Sequence, residues 1–267
     1  MTREDVDRVL SSLGVRGNTL IVHAALSSFG HLDGGARALA EALVAAVGES
    51  GTLLMPAFTY TETLGTGADG PKPVAFDGDL PVSKEIGATA EAFRRLPGVL
   101  RSNHPTHSFA AWGRQAREIL STQRDNNLFG PLKKLNVYQG QVLMLGTTLA
   151  TCTAVHLAEE RLRMPYLTRR TAARINAAGY EERVVLDNVP GCSVAFLRLE
   201  DRLDPAKVRS VPLVQGAARK VPVRHLVTVA TRALESDPAV FVCPRADCAS
   251  CAAKREALGA AWAVAAG

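Results

Sequence analysis

The apolar residues of this chain change period several times, and the changes mark out its elements. Over residues 3–13 a charged, amphipathic pattern predicts a helix that stops at Gly14. The apolar run TLIVHAAL (19–26) predicts a buried strand, and the glycine-containing loop SFGHLDGG leads from it to a second helix over 35–48. After the turn GESG comes another apolar run, TLLMPAF (52–58). Strand, loop, helix and strand in this order predict a βαβ unit, with parallel strands and a right-handed crossover.

The pattern then loosens. Residues 60–82 form an irregular excursion carrying Glu62, Asp69, Asp77 and Asp79, and a loop of that length in a compact domain is usually functional. SKEIGATAEAFRR (83–95) predicts a helix with Ser83 in a capping-box position, ending before Pro97 and Gly98. A helix near 113–120, the turn LFGP and the strand QVLMLG (141–146) come next. TLATCTAVHLAEERLR (148–163) reads as a loop entering a helix that Pro165 stops. RINAAG, ERVVLDNV and VRSVPLV predict strands, and a helix is expected near 222–235. Because strict alternation fails in this half, the expectation is an α/β fold whose sheet turns mixed or antiparallel. At 267 residues the chain is expected to be a single domain over 1–267, with a cysteine-containing appendage at 238–267.

Composition narrows the partners. The N-terminus has no long apolar core and no later segment offers the roughly 18 apolar residues needed to span a bilayer, so no membrane contact and a cytoplasmic location are expected. The formal charge of +5 comes from 31 Lys and Arg scattered among 26 Asp and Glu, without a basic stripe. With only 5% aromatic residues to stack on bases, this argues against nucleic acid and suits a small polyanionic ligand.

Four stretches carry candidate chemistry. In ATCTAVHLAEE, His156 and Glu159 stand three apart on a helix start, which puts imidazole and carboxylate on one face. HAALSSFG leaves a strand through small residues whose N–H and hydroxyl groups can hold a phosphate, although it contains neither a Walker loop nor G-x-G-x-x-G. RSNHPTHSF places His104, His107 and Ser108 together; a metal site, a nucleophile with its base and a polar pocket-lining loop all fit, and the loop is favoured because Pro105 breaks a helical display and no nucleophile elbow surrounds Ser108. CPRADCASC spaces Cys243, Cys248 and Cys251 like part of a structural zinc or iron–sulfur site with Cys192 as a fourth thiol, but the second close pair of a zinc signature is missing and free thiols in a helix-turn are favoured.

Five of these segments, in order, resemble the aminoglycoside 3-N-acetyltransferase (antibiotic acetyltransferase) family: VHAALSSFG with its Gly-Gly helix start, GTLLMPAFTY, RSNHPTHSFAAWG, GPLKKL with QGQVLMLG, and TAVHLAEE. The resemblance implies a mixed-sheet α/β sandwich distinct from the GNAT acetyltransferases, and transfer of acetyl from acetyl-coenzyme A to a small-molecule amine. It maps the family's helix histidine onto His156 as general base, with Asp187 favoured over Glu159 as the carboxylate that orients it. It further implies coenzyme contacts at His23, Ala25, Ser27, Ser28, Ser102, His107 and Ser108, and contacts to the amine at Tyr60, Glu62, Asp69, Asp77 and Glu160. The basic overall balance and the CPRADCASC tail depart from the antibiotic-modifying members. A biosynthetic acyltransferase using another amine or acyl donor, or a metal-stabilised binding protein without the chemistry, are the alternatives.

Overall fold

The computed structural model of the protein describes residues 1–64 and 72–265. The βαβ unit forms as the pattern predicts: β1 (Thr19–Ala24) runs parallel to β2 (Thr52–Pro56), Thr19 facing Thr52, with the second helix of the chain crossing between them. The helices in chain order are α1 (Arg3–Leu13), α2 (Gly35–Val47), α3 (Tyr60–Leu64), α4 (Ala88–Arg94), α5 (Ala116–Leu120), α6 (Gly130–Val137), α7 (His156–Arg161), α8 (Val223–Ser236) and α9 (Ala249–Ala265).

Strand β5 (Gln141–Leu145) lies parallel to β1 on its other side, so the middle of the sheet is a parallel trio. These strands read as unbroken apolar runs because both of their faces are covered. Antiparallel strands flank them. On one side are β4 (Phe109–Gly113) and the short β3 (Leu100–Arg101); on the other, β9 (Ala217–Pro222) and β8 (Arg209–Pro212). The strand order is β3-β4-β2-β1-β5-β9-β8. A separate hairpin, β6 (Thr168–Ile175) and β7 (Glu181–Val189), stands apart from this sheet.

The twofold period of each strand sorts its side chains between two cores. Leu20, Val22, Leu53, Met55, Leu143 and Leu145 face a layer built on α1, α2 and α4, where Leu10, Leu39, Leu43 and Phe93 are buried. Ile21, Leu54, Val142 and Met144 face the opposite layer, with Phe129, Leu132, Phe196, Leu226 and Phe241. The C-terminal segment, expected as an appendage, packs into this second layer through Phe241, Cys251 and Leu258.

Several elements differ from the reading of the pattern. Ser83 makes no helix cap; a 3-10 turn over Lys84–Ile86 and Gly87 at φ 98° precede α4, and the Ser83 hydroxyl bonds the Glu62 carboxylate instead. The stretch 148–163 folds as two 3-10 turns, Leu149–Thr151 and Thr153–Val155, before α7. The excursion after residue 58 contains the short α3, and Phe76 pairs by its backbone with Ala173 and Ile175 of the hairpin. Asp69 lies outside the described residues.

Candidate active site

The carboxyl ends of the three parallel strands open into one cleft, the usual place for ligands in open α/β sheets. Its cavity volume is ≈ 750 Å³, and its walls include His23, Ala25, Tyr60, His107, Phe129 and His156. The loop 189–194 and Ser250 at the start of α9 close the far side.

His156 opens α7, and the helical spacing brings Glu159 onto its face. His156 Nδ1 lies 2.5 Å from Glu159 Oε2, with the carboxylate side chain fully buried. Phe129 stacks flat on the imidazole, centroids 5.6 Å apart and planes 4° from parallel, and Phe196 meets the ring edge-on at 4.8 Å. Ring position and rotation are thereby set by packing as well as by the hydrogen bond. With Nδ1 directed at the carboxylate, Nε2 is the nitrogen left for a substrate in the cleft.

Glu159 is held by two further donors. Tyr166 Oη donates to Oε1 at 3.1 Å and Lys254 Nζ donates to the same oxygen at 3.0 Å. Burial by itself raises the Glu159 carboxyl, but the His156 and Lys254 charges and hydrogen bonds outweigh it and hold the group below its ordinary value. Burial, and then the Glu159 charge, push the Tyr166 phenol upward, so it stays a neutral donor. Neither Tyr166 nor Lys254 is marked in the sequence. Lys254 lies 95 residues from Glu159 in the chain, and only the docking of α9 brings it to the site.

Asp187 does not partner His156. On β7 the alternation buries Val184 and Leu186 and turns Asp187 to the other face, where it lies 3.3 Å from Arg169 Nε and is half exposed. Glu159 is the carboxylate on the imidazole.

The RSNHPTHSF loop is tied together internally. His104 Nδ1 accepts the backbone N–H groups of Thr106 (3.3 Å) and His107 (3.1 Å). Ser102 Oγ accepts from Phe109 N–H at 2.8 Å and donates to Gln123 Oε1, while Gln123 Nε2 donates to His107 O at 2.8 Å and Leu128 O at 2.7 Å. Ser108 Oγ donates to Ala57 O at 2.7 Å. Ser102 and Ser108 are thus buried in structural bonds and do not line the cleft, contrary to expectation. His107 does line it, between Phe58 (centroids 4.8 Å) and Tyr60 (5.6 Å), with Nδ1 2.7 Å from Thr106 Oγ1. Burial first, then His104 and His156, hold the His107 pKa well below its usual value, so the ring is neutral.

In the HAALSSFG stretch, His23 and Ala25 reach the cleft, whereas Ser28 Oγ donates back to Gly146 O at 3.2 Å and Ser27 stays exposed outside the lining. Gly146 is required there: it sits at φ 68°, and an added Cβ would come within 2.0 Å of Ser28 Oγ. Among the expected amine contacts that fall in the described residues, only Tyr60 lines the cleft. Glu62 lies behind it, bonded to Ser83; Asp77 caps a surface turn through the N–H groups of Asp79 and Leu80; Glu160 pairs with Lys133 at 2.6 Å. Glu85, which the sequence pattern hid inside a presumed helix, is the acid that lines the cleft among the described residues.

The four cysteines Cys192, Cys243, Cys248 and Cys251 converge, their sulfurs all within 4.8 Å of one another. They come from the loop after β7, the segment after α8, and the residue before and first turn of α9. Cys243 N–H points at Cys251 Sγ, 3.2 Å away.

Solved structures that share this fold include aminoglycoside acetyltransferases. The apoenzyme of aminoglycoside acetyltransferase AAC(3)-IVa superposes with a TM-score of 0.81 at 32% identity, over 96% of this chain and 97% of that one. AAC-IIIb bound to CoASH gives 0.76 at 25% identity, over 88% and 97%. The chain belongs to the aminoglycoside 3-N-acetyltransferase family, whose sequence profile matches residues 21–235. Among characterised relatives, aminoglycoside N(3)-acetyltransferase IV of Salmonella sp. is 32% identical over 239 residues, 88% of each chain. The prophage-derived aminoglycoside N(3')-acetyltransferase-like protein YokD of Bacillus subtilis is 36% identical over 183 residues, 62% of this chain and 66% of that one. No helix among the described residues is long and apolar enough to cross a membrane.

Proposed function

We propose that the protein transfers the acetyl group of acetyl-coenzyme A to an amine of an aminoglycoside, with His156 as general base. The observation that carries this reading is the buried Glu159–His156 pair, 2.5 Å apart, facing the cleft at the carboxyl ends of the parallel strands. An alkylamine is mostly protonated at neutral pH and has no lone pair to attack with. Once the ammonium has lost one proton to solvent, His156 Nε2 takes a second from the nitrogen as it forms a bond to the thioester carbonyl carbon. Glu159 stabilises the resulting imidazolium and keeps Nδ1 protonated throughout. The tetrahedral intermediate then collapses, the C–S bond breaks, and the proton on Nε2 passes to the departing thiolate, leaving amide and free coenzyme A thiol.

His107 fits an electrophilic role opposite the base. If the Thr106 hydroxyl donates to Nδ1, the neutral ring carries its proton on Nε2 and offers it to the carbonyl oxygen as negative charge develops. On this reading Ala25 and His107 border the pantetheine, and Tyr60 with Glu85, backed by Glu62, receives the ammonium groups of the acceptor. The family relatives named for aminoglycosides, and the one bound to CoASH, support both choices of substrate. We place the reaction in the cytoplasm, where acetyl-coenzyme A is available. Thiol release on mixing protein, acetyl-coenzyme A and a panel of aminoglycosides tests the reading; no release with any amine, or an unchanged rate in His156→Ala, overturns it.

We also infer that Cys192, Cys243, Cys248 and Cys251 hold a structural zinc ion. Zinc bound about 2.3 Å from four thiolates sets neighbouring sulfurs about 3.8 Å apart, and a closed four-sulfur shell leaves no position for substrate. The four sulfurs are mutually close rather than separated into two pairs, which favours one ion over two disulfides.

A further inference from the structure

We propose that the four-cysteine site is the clasp that holds Lys254 against Glu159, making Lys254 a positioning residue for the catalytic base. This rests on the assignment of His156 as base and of the cysteines as a metal site.

The C-terminal helix α9 carries both halves of the device. Cys251 lies in its first turn and Lys254 three residues on, so the side chains share one face. The ammonium is 2% exposed. It donates to Glu159 Oε1 at 3.0 Å, Cys192 O at 2.9 Å and Phe241 O at 3.3 Å, and sits 4.6 Å above the centre of the Tyr166 ring. All three protons of the ammonium have acceptors, so a buried charge that would otherwise be costly is fully satisfied. One of those acceptors is the carbonyl of Cys192, a residue of the thiol cluster itself. The cluster and the catalytic carboxylate are therefore joined through a single side chain.

Few direct bonds tie this end of α9 to the cleft loop. Cys192 N–H bonds Ser250 Oγ at 2.8 Å, and Gly191 lets the two backbones meet, since a Cβ there would come within 2.0 Å of the same hydroxyl. A metal bound to Cys192 in the loop, Cys243 after α8, and Cys248 and Cys251 beside and within α9 would join all three segments at one point. Lys254 is then delivered to Oε1, which leaves Oε2 aimed at His156 Nδ1. Without the clasp the first turn of α9 loosens, and Glu159 Oε1 loses one of its two donors, keeping only Tyr166.

The test uses the full chain purified under reducing conditions. Metal analysis is expected to give one zinc per chain, and cobalt substitution to give the sulfur-to-metal charge-transfer band and strong visible bands of a tetrahedral four-thiolate site. Cys248→Ser, at a half-buried ligand, should lose the metal and keep its circular dichroism. Absence of stoichiometric metal, or an intact mass showing disulfides, overturns the metal site. Stripping zinc with a chelator should lower kcat about tenfold or more with little change in KM for acetyl-coenzyme A, raise amide exchange across 249–258, and be reversed by added zinc. Lys254→Met should retain one zinc and show the same fall in kcat, and stripping its zinc should lower kcat little further. If zinc binds but its removal changes neither kcat nor exchange, the clasp fails while the metal site stands. If Lys254→Met retains full kcat, the positioning role fails. Should wild-type protein release no thiol at all, the catalytic reading fails by itself, while metal content and exchange still decide the clasp.

Discussion

The rings of Phe129 and His156 lie 4° from parallel with centroids 5.6 Å apart, so the His156 imidazole rests flat on a core aromatic. Phe129 is itself fully buried at the start of α6. Phe129→Ala should therefore cost about 3–5 kcal/mol of stability by leaving a cavity. The activity that survives should show a lower kcat, because nothing then sets the ring plane. Urea unfolding alongside steady-state kinetics separates the two effects.

Removing the base tests the chemistry directly. His156→Ala should reduce kcat by about 10²–10⁴-fold while coenzyme A binding, read by isothermal titration, is retained. Glu159→Gln should also lose activity, and it should destabilise the fold, because Lys254 is left buried beside a neutral amide. A Glu159→Gln variant as active and as stable as wild type would contradict the dyad.

The two acids that the sequence also offers should behave differently. Asp187 faces outward against Arg169, and Glu160 pairs with Lys133 away from the cleft. Asp187→Asn should leave kcat unchanged and shift stability by no more than about 0.5 kcal/mol, the usual size for an exposed ion pair. A large loss of kcat in Asp187→Asn would return that residue to the site.

Stability should fall on mild acidification. Burial lowers the His23 pKa to about 4; burial and then Arg174 lower His104 to about 3; His107 is lowered as well. Each ring is neutral in the fold but takes up a proton in the unfolded chain below its ordinary value of 6.5. Their contribution is complete above that value and is lost as pH falls from there towards the folded values, at up to about 1.4 kcal/mol per pH unit for each histidine. Urea midpoints measured at descending pH should drop along this window, and His104→Gln, which cannot titrate, should flatten the slope.

The βαβ start of the fold was legible because its elements are set by neighbours in sequence. The helix at 3–13, the strands at 19 and 52 and the strand at 141 appear where the periodicity puts them. Strand β4 is hidden because Phe109, Ala110 and Ala111 are buried in succession without alternation, and β9 because Lys220 takes one of its buried positions. The His156–Glu159 spacing was visible as a pair sharing a helix face. Its competitor Asp187 could be set aside only after β7 had a register, because a shift of one residue exchanges the two faces of a strand.

What the sequence determined by itself was local or additive: element types, the family motifs in order, the one-turn reach from His156 to Glu159, and the close spacing of three cysteines. Tertiary structure decided everything that depends on which distant segments meet. It turned Ser102 and Ser108 into loop braces, brought Cys192 to the other three thiols, and set the Lys254 ammonium on a carboxylate 95 residues away in the chain. A charged side chain is exposed by default and is buried only where fixed acceptors meet it, and those acceptors exist here only once α9 is docked.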